Sequence, residues 1–304
     1  MIFIFYVFCI VCVIYTSHEK PVSDGVFYIY KYYVIYMTDR LAIAMQKGGV
    51  GKSITTVNLA GALADRGHDV LAIDADPQGG LTVKLGFKNH YREADQALFD
   101  VLSDQGKMEL EDLDELVVPH EEYDVIPAQL RNFNLEKALY TEAGGHNSLK
   151  TALDRMQNDY DHILIDSPPN LGPLSDGALL AARNVVFPSH PNEISQNSIW
   201  LLRQEIQTLE KKFDIDISSI GAVLNEVPPN ESISNTIRDW FFDIFGESNV
   251  FEIADRAVIE HSISYNSSVF GYNPEDAGYP WDTEAMEDMC DTYNRLAQHV
   301  EENL

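Results

Sequence analysis

The sequence predicts an α/β fold in which a doubly wound, mostly parallel sheet is flanked by helices. Two observations lead to this prediction. Short apolar runs alternate along the chain with helix-forming segments, which is the pattern of successive βαβ units. Three of these runs end in a polar residue, namely Asp74, Asp166 and Asn225, and ligands bind in such folds outside the carboxyl ends of the strands.

The first apolar run, residues 41–45, leads into QKGGVGKS at residues 46–53 and then into a helix-forming segment. A strand, a glycine-rich turn and a helix are the setting of a phosphate-binding loop, because glycine lets the backbone turn tightly and aim N–H groups at phosphate oxygens. We expect Lys52 to reach the β- and γ-phosphates of a nucleotide and the Ser53 hydroxyl to bind Mg²⁺. The candidate nucleotide-binding residues are Gly48, Gly49, Val50, Gly51, Lys52, Ser53 and Ile54.

The second run, residues 69–74, continues into DADPQ at residues 74–78. Asp74 and Asp76 are two residues apart at the end of a strand, so their carboxylates point to the same side, towards the ligand crevice. Negative groups at this place position an attacking water molecule and hold the shell of a magnesium ion. We therefore expect Asp74 and Asp76 together to act on the attacking water and on the metal shell.

A third signal is YDHILIDSPP at residues 160–169. An apolar strand that ends in an aspartate is typical of nucleotide-binding sites in which the carboxylate holds Mg²⁺ directly or through water. Asp166 is therefore a candidate metal ligand. Between the second and third signals we assign no chemistry, and we predict helices at 94–102, 132–139 and 148–156, a solvated acidic stretch at 104–115 and a short strand at 123–128.

These motifs together resemble the ParA/MinD family of deviant Walker A ATPases. KGGVGKS resembles the family's phosphate loop, in which Gln46 replaces the usual first glycine and Lys47 matches the signature lysine. The resemblance implies Mg²⁺-dependent hydrolysis of ATP in a nucleotide-sandwich dimer, with Lys47 reaching the nucleotide of the partner subunit. Residues 74–78 resemble the family's D-x-D-P-Q, so Asp76 is carried over as a catalytic residue, and residues 166–169 resemble its D-x-P-P.

The rest of the chain continues the alternation of strands and helices. We predict strands at 184–188 and 220–225 and helices at 173–182, 194–213, 233–245 and 283–300. The resemblance implies a strand and an arginine-bearing turn within 250–256. Relatives place an amide or arginine against the adenine ring where Asn225 falls, and an amide can both donate to and accept from adenine. The last helix is mostly acidic, so it does not resemble the basic amphipathic helix with which MinD-like proteins bind membranes.

The N-terminal residues 1–36 differ in composition from the remainder of the chain, because they contain neither Ala nor Leu. Their apolar run is shorter than the roughly 20 residues of a transmembrane helix, and they lack the basic start and small-residue cleavage site of a signal peptide. We interpret residues 1–36 as a non-native upstream extension or an apolar N-terminal segment, with a membrane anchor as the alternative. Residues 37–304 then form one ParA-like ATPase domain that begins at Met37.

The net charge of −27, from 21 Lys and Arg against 48 Asp and Glu, predicts long-range repulsion from nucleic acid and anionic membranes. An acidic, lysine-poor surface suits a cytoplasm at very high salt, where the screening length shrinks to roughly 3 Å, so we expect a halophilic source and a cytoplasmic protein. Three cysteines exclude a disulfide framework and a four-cysteine iron–sulfur cluster within one chain.

The favoured function is a ParA-type partitioning ATPase that segregates chromosome or plasmid DNA. The resemblance implies an ATP-dependent homodimer, a ParB-like activator and nonspecific DNA as partners, with Arg203, Arg238 and Arg256 as candidate DNA contacts. Three alternatives remain: a MinD-like positioning ATPase, against which the acidic tail argues; a reductase of the nitrogenase iron-protein type, which needs more cysteines; and a nucleotide-dependent scaffold with negligible turnover.

Overall fold

The computed structural model describes residues 38–227, 232–254 and 257–304. The N-terminal segment 1–36, the expected start at Met37 and the candidate DNA contact Arg256 lie outside the described residues.

The predicted sheet is confirmed, and within the described residues it has eight strands. The strands are β1 (Asp39–Ile43), β2 (Val70–Asp74), β3 (Val118–Pro119), β4 (Asp124–Ile126), β5 (His162–Asp166), β6 (Asn184–Ser189), β7 (Ser218–Val227) and β8 (Val250–Ala254). Their order across the sheet is β3-β4-β2-β5-β1-β6-β7-β8. All neighbours are parallel except β3 and β4. Because β1 lies near the middle, the loop that follows it lies between the loops that follow β5 and β6.

Helices connect the parallel strands. They are α1 (Lys52–Asp65), α2 (Gly80–Lys84), α3 (Lys88–Glu93), α4 (Leu98–Leu102), α5 (Asn132–Thr141), α6 (Ser148–Leu153), α7 (Pro173–Ala182), α8 (Glu193–Phe213), α9 (Ser232–Phe245), α10 (Ala257–Ser264) and α11 (Thr283–Asn303). Within the described residues no helix is both long and apolar enough to cross a membrane.

The sheet is covered on both faces, as a doubly wound fold requires. Alternate side chains of a strand point to opposite faces, and β1 shows the result: Leu41 and Ile43 pack in an apolar cluster with side chains of α1 and α11. Ala42 packs in a second cluster with side chains of α7 and α8. Strands buried on both faces are apolar throughout, which is why the sequence shows them as unbroken runs.

Strand register brings the candidate acidic residues to one level. Asp166 at the end of β5 pairs with Ile43 of β1 on one side and with Asp74 of β2 on the other. The phosphate loop begins just beyond β1, so it starts beside Asp166 and one strand away from Asp74.

The segment between β2 and β5 departs from the sequence prediction. The stretch 104–115 was expected to be solvated, but Leu110–Leu116 forms a 3₁₀ helix that buries Leu113 and Leu116 in the core. The leucines are three residues apart, so a helix with three residues per turn places them on one side. The helix predicted at 94–102 begins only at Leu98, because Ala94 is extended.

Candidate nucleotide-binding site

The loop between β1 and α1 has the open, glycine-dependent shape of a phosphate cradle. Gly49 and Gly51 have φ angles of 72° and 90°, in the left-handed region that glycine adopts most readily. A Cβ on Gly48 or Gly49 would meet nothing within 4 Å, whereas a Cβ on Gly51 would collide with the Asn225 amide. The outer side of the loop is therefore open, and its inner side is packed against the end of β7.

Helix α1 begins at the end of this loop with Gly51 as its N-cap and without an acidic residue in its first turn. The first N–H groups of a helix have no partners within the helix, and they carry the positive end of the helix dipole. This arrangement attracts an anion to the start of α1.

Lys52 and Lys47 lie on either side of the loop's glycines. Lys52 is 7% exposed, and its Nζ lies 3.4 Å from the Lys47 carbonyl oxygen. Burial lowers the pKa of Lys52, while the nearby carboxylates of Asp166 and Asp76 raise it. The Nζ of Lys47 lies 3.4 Å from Oδ1 of Asn192, the residue that caps α8 by accepting a hydrogen bond from the Ser195 N–H.

Asp166 is a fully buried carboxylate close to the Ser53 hydroxyl and the Lys52 ammonium. It is 0% exposed, and neither carboxylate oxygen has a partner of hydrogen-bond geometry among the described residues. Burial raises the pKa of Asp166, while the nearby Ser53 hydroxyl and Lys52 ammonium lower it. An unpaired buried carboxylate is costly, and a bound cation would remove that cost.

Asp74 is also fully buried, but one of its oxygens is already used. Oδ2 accepts hydrogen bonds from the backbone N–H and the hydroxyl of Thr82, at 2.8 and 2.6 Å. Oδ1 has no partner among the described residues. Burial and then the neighbouring Asp166 raise the pKa of Asp74 well above its usual value. Asp74 thus holds the start of α2 and has one oxygen left to face the crevice.

Asp76 is half-buried, and its Oδ1 accepts a hydrogen bond of 2.9 Å from the Gln78 N–H. Burial raises the pKa of Asp76, and the Gln78 N–H and Lys52 lower it. Lys52 therefore acts electrostatically on both Asp76 and Asp166, which places the three side chains around the same crevice.

Asn225 is 5% exposed at the end of β7. Its amide Nδ2 donates a hydrogen bond of 2.8 Å to the Val50 carbonyl oxygen, and its Oδ1 has no partner among the described residues. The structure thus shows Asn225 as a support of the phosphate loop, a role that the sequence did not indicate. The expected contact with adenine stays a prediction, for which Oδ1 is the available acceptor.

Sequence reasoning missed His190, which directly follows β6. Its Nε2 lies 2.7 Å from the Gly49 carbonyl oxygen and its Nδ1 lies 3.2 Å from the Asn225 carbonyl oxygen. The only sequence signal for His190 was its position after a strand.

The sequence also predicted the loop after β5, but not the residues that this loop contacts. The Asn170 amide donates a hydrogen bond to the Glu136 carboxylate, and Gly172 lies against Tyr140.

The residues present fit Mg²⁺ and a nucleoside triphosphate. The described residues contain no group of three or more His, Cys, Asp and Glu side chains arranged to hold a metal ion. Mg²⁺ in nucleotide sites is bound by one or two carboxylates together with phosphates of the substrate. Asp166 supplies an orphaned carboxylate for this purpose, beside a glycine cradle and a buried lysine.

The amino-acid sequence and the fold of this chain are similar to those of several known proteins. A family model described as AAA domain matches residues 38–219. Sporulation initiation inhibitor protein Soj of Bacillus subtilis is 30% identical over 78% of this chain and 92% of Soj. Chromosome partitioning protein ParA of Caulobacter vibrioides is 32% identical over 78% of this chain and 88% of that protein. Among solved structures, this chain resembles the crystal structure of cobyrinic acid a,c-diamide synthase from Mycobacterium smegmatis with bound ADP and magnesium. The sequence identity is 29% and the TM-score is 0.62, and the match covers 69% of this chain and 83% of the synthase chain.

Proposed function

Because the chain belongs to the ParA/MinD family of P-loop ATPases, we propose that it is a ParA-type partitioning ATPase that hydrolyses ATP with Mg²⁺ in a nucleotide-sandwich dimer. Two similarities support this proposal. The relative from Caulobacter vibrioides is a chromosome partitioning protein, and the solved structure from Mycobacterium smegmatis binds ADP and magnesium in the same fold. We place the protein in the cytoplasm, where the DNA to be segregated lies.

The single observation that carries the proposal is the fully buried Asp166 carboxylate beside Lys52, Ser53 and the open glycine loop. The N–H groups of the loop and Lys52 would hold the phosphates, while Ser53 and Asp166 would hold the metal. A bound Mg²⁺ would supply positive charge against the charge that develops on the phosphates. Asp76, on the same side of the sheet, would orient the attacking water molecule, and Asp74 would support the metal shell.

Lys47 acts between the two subunits. Its Nζ rests at 3.4 Å from the Asn192 side chain in the single chain, which is longer than the usual N–H···O range of 2.7–3.2 Å. In the ATP-bound dimer Lys47 exchanges this weak contact for the charged phosphates of the partner subunit's nucleotide. A charged phosphate attracts the Lys47 ammonium by a Coulomb interaction that the neutral Asn192 amide does not offer, so the exchange favours pairing.

A comparison of three variants tests the catalytic proposal by ATP turnover, nucleotide affinity and molar mass in solution. Lys52→Ala should lose nucleotide binding and turnover together. Asp76→Ala should bind ATP and pair, yet turn over at least about 10²-fold more slowly. Lys47→Ala should bind nucleotide but remain a single chain. The exposed Lys107 lies outside the loop, so Lys107→Ala is the matched control and should behave like the parent. A Lys47→Ala variant that still pairs and turns over like its parent would refute the sandwich dimer.

The partitioning role also requires binding to DNA. Of the candidate contacts, Arg203 is exposed on α8. The guanidinium of Arg238 pairs with both carboxylate oxygens of Glu252 at 2.6 Å, and its contact with DNA stays a prediction. Phosphate contacts normally weaken as salt rises, whereas a protein from a high-salt cytoplasm must retain DNA there. We therefore expect DNA retention that needs ATP and survives high KCl, and its absence would refute the partitioning role while leaving the ATPase intact.

The MinD-like alternative receives no support from α11. The surface of that helix carries Glu284, Glu287, Asp288 and Asp291, and Arg295 is its only strongly basic residue. Anionic lipid attracts basic amphipathic helices, so we propose that α11 does not bind a membrane.

A further inference from the structure

His190 occupies an unusual position behind the phosphate loop, because both of its ring nitrogens face backbone carbonyl oxygens. Nε2 lies 2.7 Å from the oxygen of Gly49, and Nδ1 lies 3.2 Å from the oxygen of Asn225. Carbonyl oxygens only accept hydrogen bonds, and a neutral imidazole has only one N–H to donate. Both contacts are therefore satisfied at once only by the doubly protonated, positively charged ring.

The surroundings of His190 are suited to that charge. Oε2 of Glu226 lies 3.5 Å from Nδ1, and the imidazole is 15% exposed. Glu226 itself has a φ of 54°, a left-handed conformation that is uncommon for residues other than glycine. Charged groups on the neighbouring segments also include Lys47 and Lys52 of the loop and Glu193 at the start of α8.

The contact with Gly49 also orients the loop. The C=O and N–H of one trans peptide unit point in opposite directions, so a hydrogen bond that holds the Gly49 carbonyl on the inner side turns the Val50 N–H towards the outer side. Asn225 does the same for the next peptide by holding the Val50 carbonyl at 2.8 Å. Two consecutive N–H groups, those of Val50 and Gly51, are thereby aimed into the open cradle.

We propose that His190 is a positioning residue for the nucleotide: its imidazolium bridges the carbonyls of Gly49 and Asn225, aims the Val50 N–H at the phosphates and adds a fixed positive charge behind the loop. Deprotonation removes the charge and turns one of the two hydrogen bonds into a contact between a lone pair and a carbonyl oxygen. Nucleotide affinity therefore falls as His190 loses its proton. This inference rests on the proposed function, since it assumes that the loop binds a nucleoside triphosphate.

The test is the pH profile of affinity for the ATP analogue AMPPNP with saturating Mg²⁺, measured by calorimetry on the full chain. Over a pH series from acidic to alkaline conditions, the parent should lose about tenfold in affinity, or 1.4 kcal/mol, relative to His190→Gln. At each pH the affinity of the parent is divided by that of His190→Gln, because protonation of AMPPNP itself changes the affinity of both proteins equally. His120 contacts the Asn266 carbonyl oxygen away from the loop, so His120→Gln is the matched control and should follow the parent.

Two further measurements separate positioning from a merely structural role. Glu226→Gln keeps His190 but removes the nearby carboxylate, so the fall in affinity should move to lower pH. Nitrogen NMR of the imidazoles, with the His190 signal identified by its loss in His190→Gln, should show protons on both ring nitrogens at the acidic end of the range.

The outcomes are distinguishable. If the parent binds AMPPNP and His190→Gln has the same pH profile, or if the acidic-end spectrum shows a neutral ring, the inference is overturned and the proposed function stands. If the parent binds no nucleotide at any pH while remaining folded, the proposed function is overturned and the inference with it.

Discussion

Gly51→Ala tests how the phosphate loop is held in place. Gly51 has a φ of 90°, and the left-handed conformation costs an alanine roughly 1–2 kcal/mol. The new methyl group would also collide with the Asn225 amide and displace it from the Val50 carbonyl. Loss of a buried hydrogen bond costs a further 1–3 kcal/mol or so, and the free energy of unfolding should therefore fall by roughly 2–5 kcal/mol.

Gly67→Ala is the matched control. Gly67 has a φ of 95°, and a Cβ there would meet nothing within 4 Å, so this variant carries the same backbone strain without the collision. Replacing glycine by alanine also restricts the unfolded chain, which raises the free energy of unfolding by about 0.4–1 kcal/mol. This increase is the same in both variants, so it cancels when their stabilities are compared.

The assay is equilibrium unfolding by urea, with thermal unfolding as a second readout in which each kcal/mol lowers the midpoint by about 2–4 °C for a domain of this size. Gly51→Ala should be less stable than Gly67→Ala by about 1–3 kcal/mol, and it alone should lose nucleotide binding. Equal losses of stability in the two variants would refute the argument that Asn225 packs against the loop.

Two predictions concern pH and stability. Arg66 donates two hydrogen bonds to Glu301, at 2.6 and 2.7 Å, and these lower the pKa of Glu301. Above the unfolded pKa of roughly 4.3, this pair should stabilise the fold by about 0.2–1 kcal/mol, and this stabilisation should disappear as the pH falls through the lower pKa of the folded state. In urea titrations, Glu301→Gln should therefore lower the free energy of unfolding at neutral pH and leave it unchanged at strongly acidic pH. A difference that stays constant at all pH values would contradict this. Burial lowers the pKa of His162 to about 4. As the pH falls, this histidine therefore binds a proton in the unfolded chain before it does so in the folded protein. The free energy of unfolding should drop by on the order of 2–3 kcal/mol between roughly pH 6.5 and pH 4. His162→Gln should flatten that slope, and an unchanged slope would show that His162 is not its source.

The sequence predicted those parts of the site that depend on local geometry. Gly49 and Gly51 could be assigned because a tight turn before a helix needs glycine, and Asp166 because an acidic residue ended an apolar strand. Each of these signals is contained in a short stretch of consecutive residues. The fold class followed from the same local alternation of strands and helices.

The missed contacts depend on the order of strands in the sheet, which no local pattern reveals. His190 contacts Gly49 across 141 residues of sequence, and Lys47 contacts Asn192 across 145. Both contacts exist because β6 lies beside β1, so that the segment after β6 reaches the loop after β1. A lone histidine after a strand has no spacing that would distinguish it from a surface residue. His299 is a similar case, since its Nε2 lies 2.9 Å from the Ile220 carbonyl oxygen.

The sheet thus gives the two sides of the phosphate loop different tasks. The ends of β2 and β5 present Asp74 and Asp166 at one level, in register with the end of β1, and these are the groups proposed to act on the metal. The segment after β6 and the end of β7 supply His190 and Asn225, which hold the carbonyls of the loop from behind. Because both sets are fixed by strand pairing, a change that shifts one strand relative to β1 would disturb the chemistry on one side or the shape of the loop on the other. The same pairing is the basis on which an acidic chain would bind the proposed triphosphate: Lys47, Lys52 and the N–H donors of the loop lie together at the carboxyl ends of the strands, and surface carboxylates farther away than the screening length act on them only weakly.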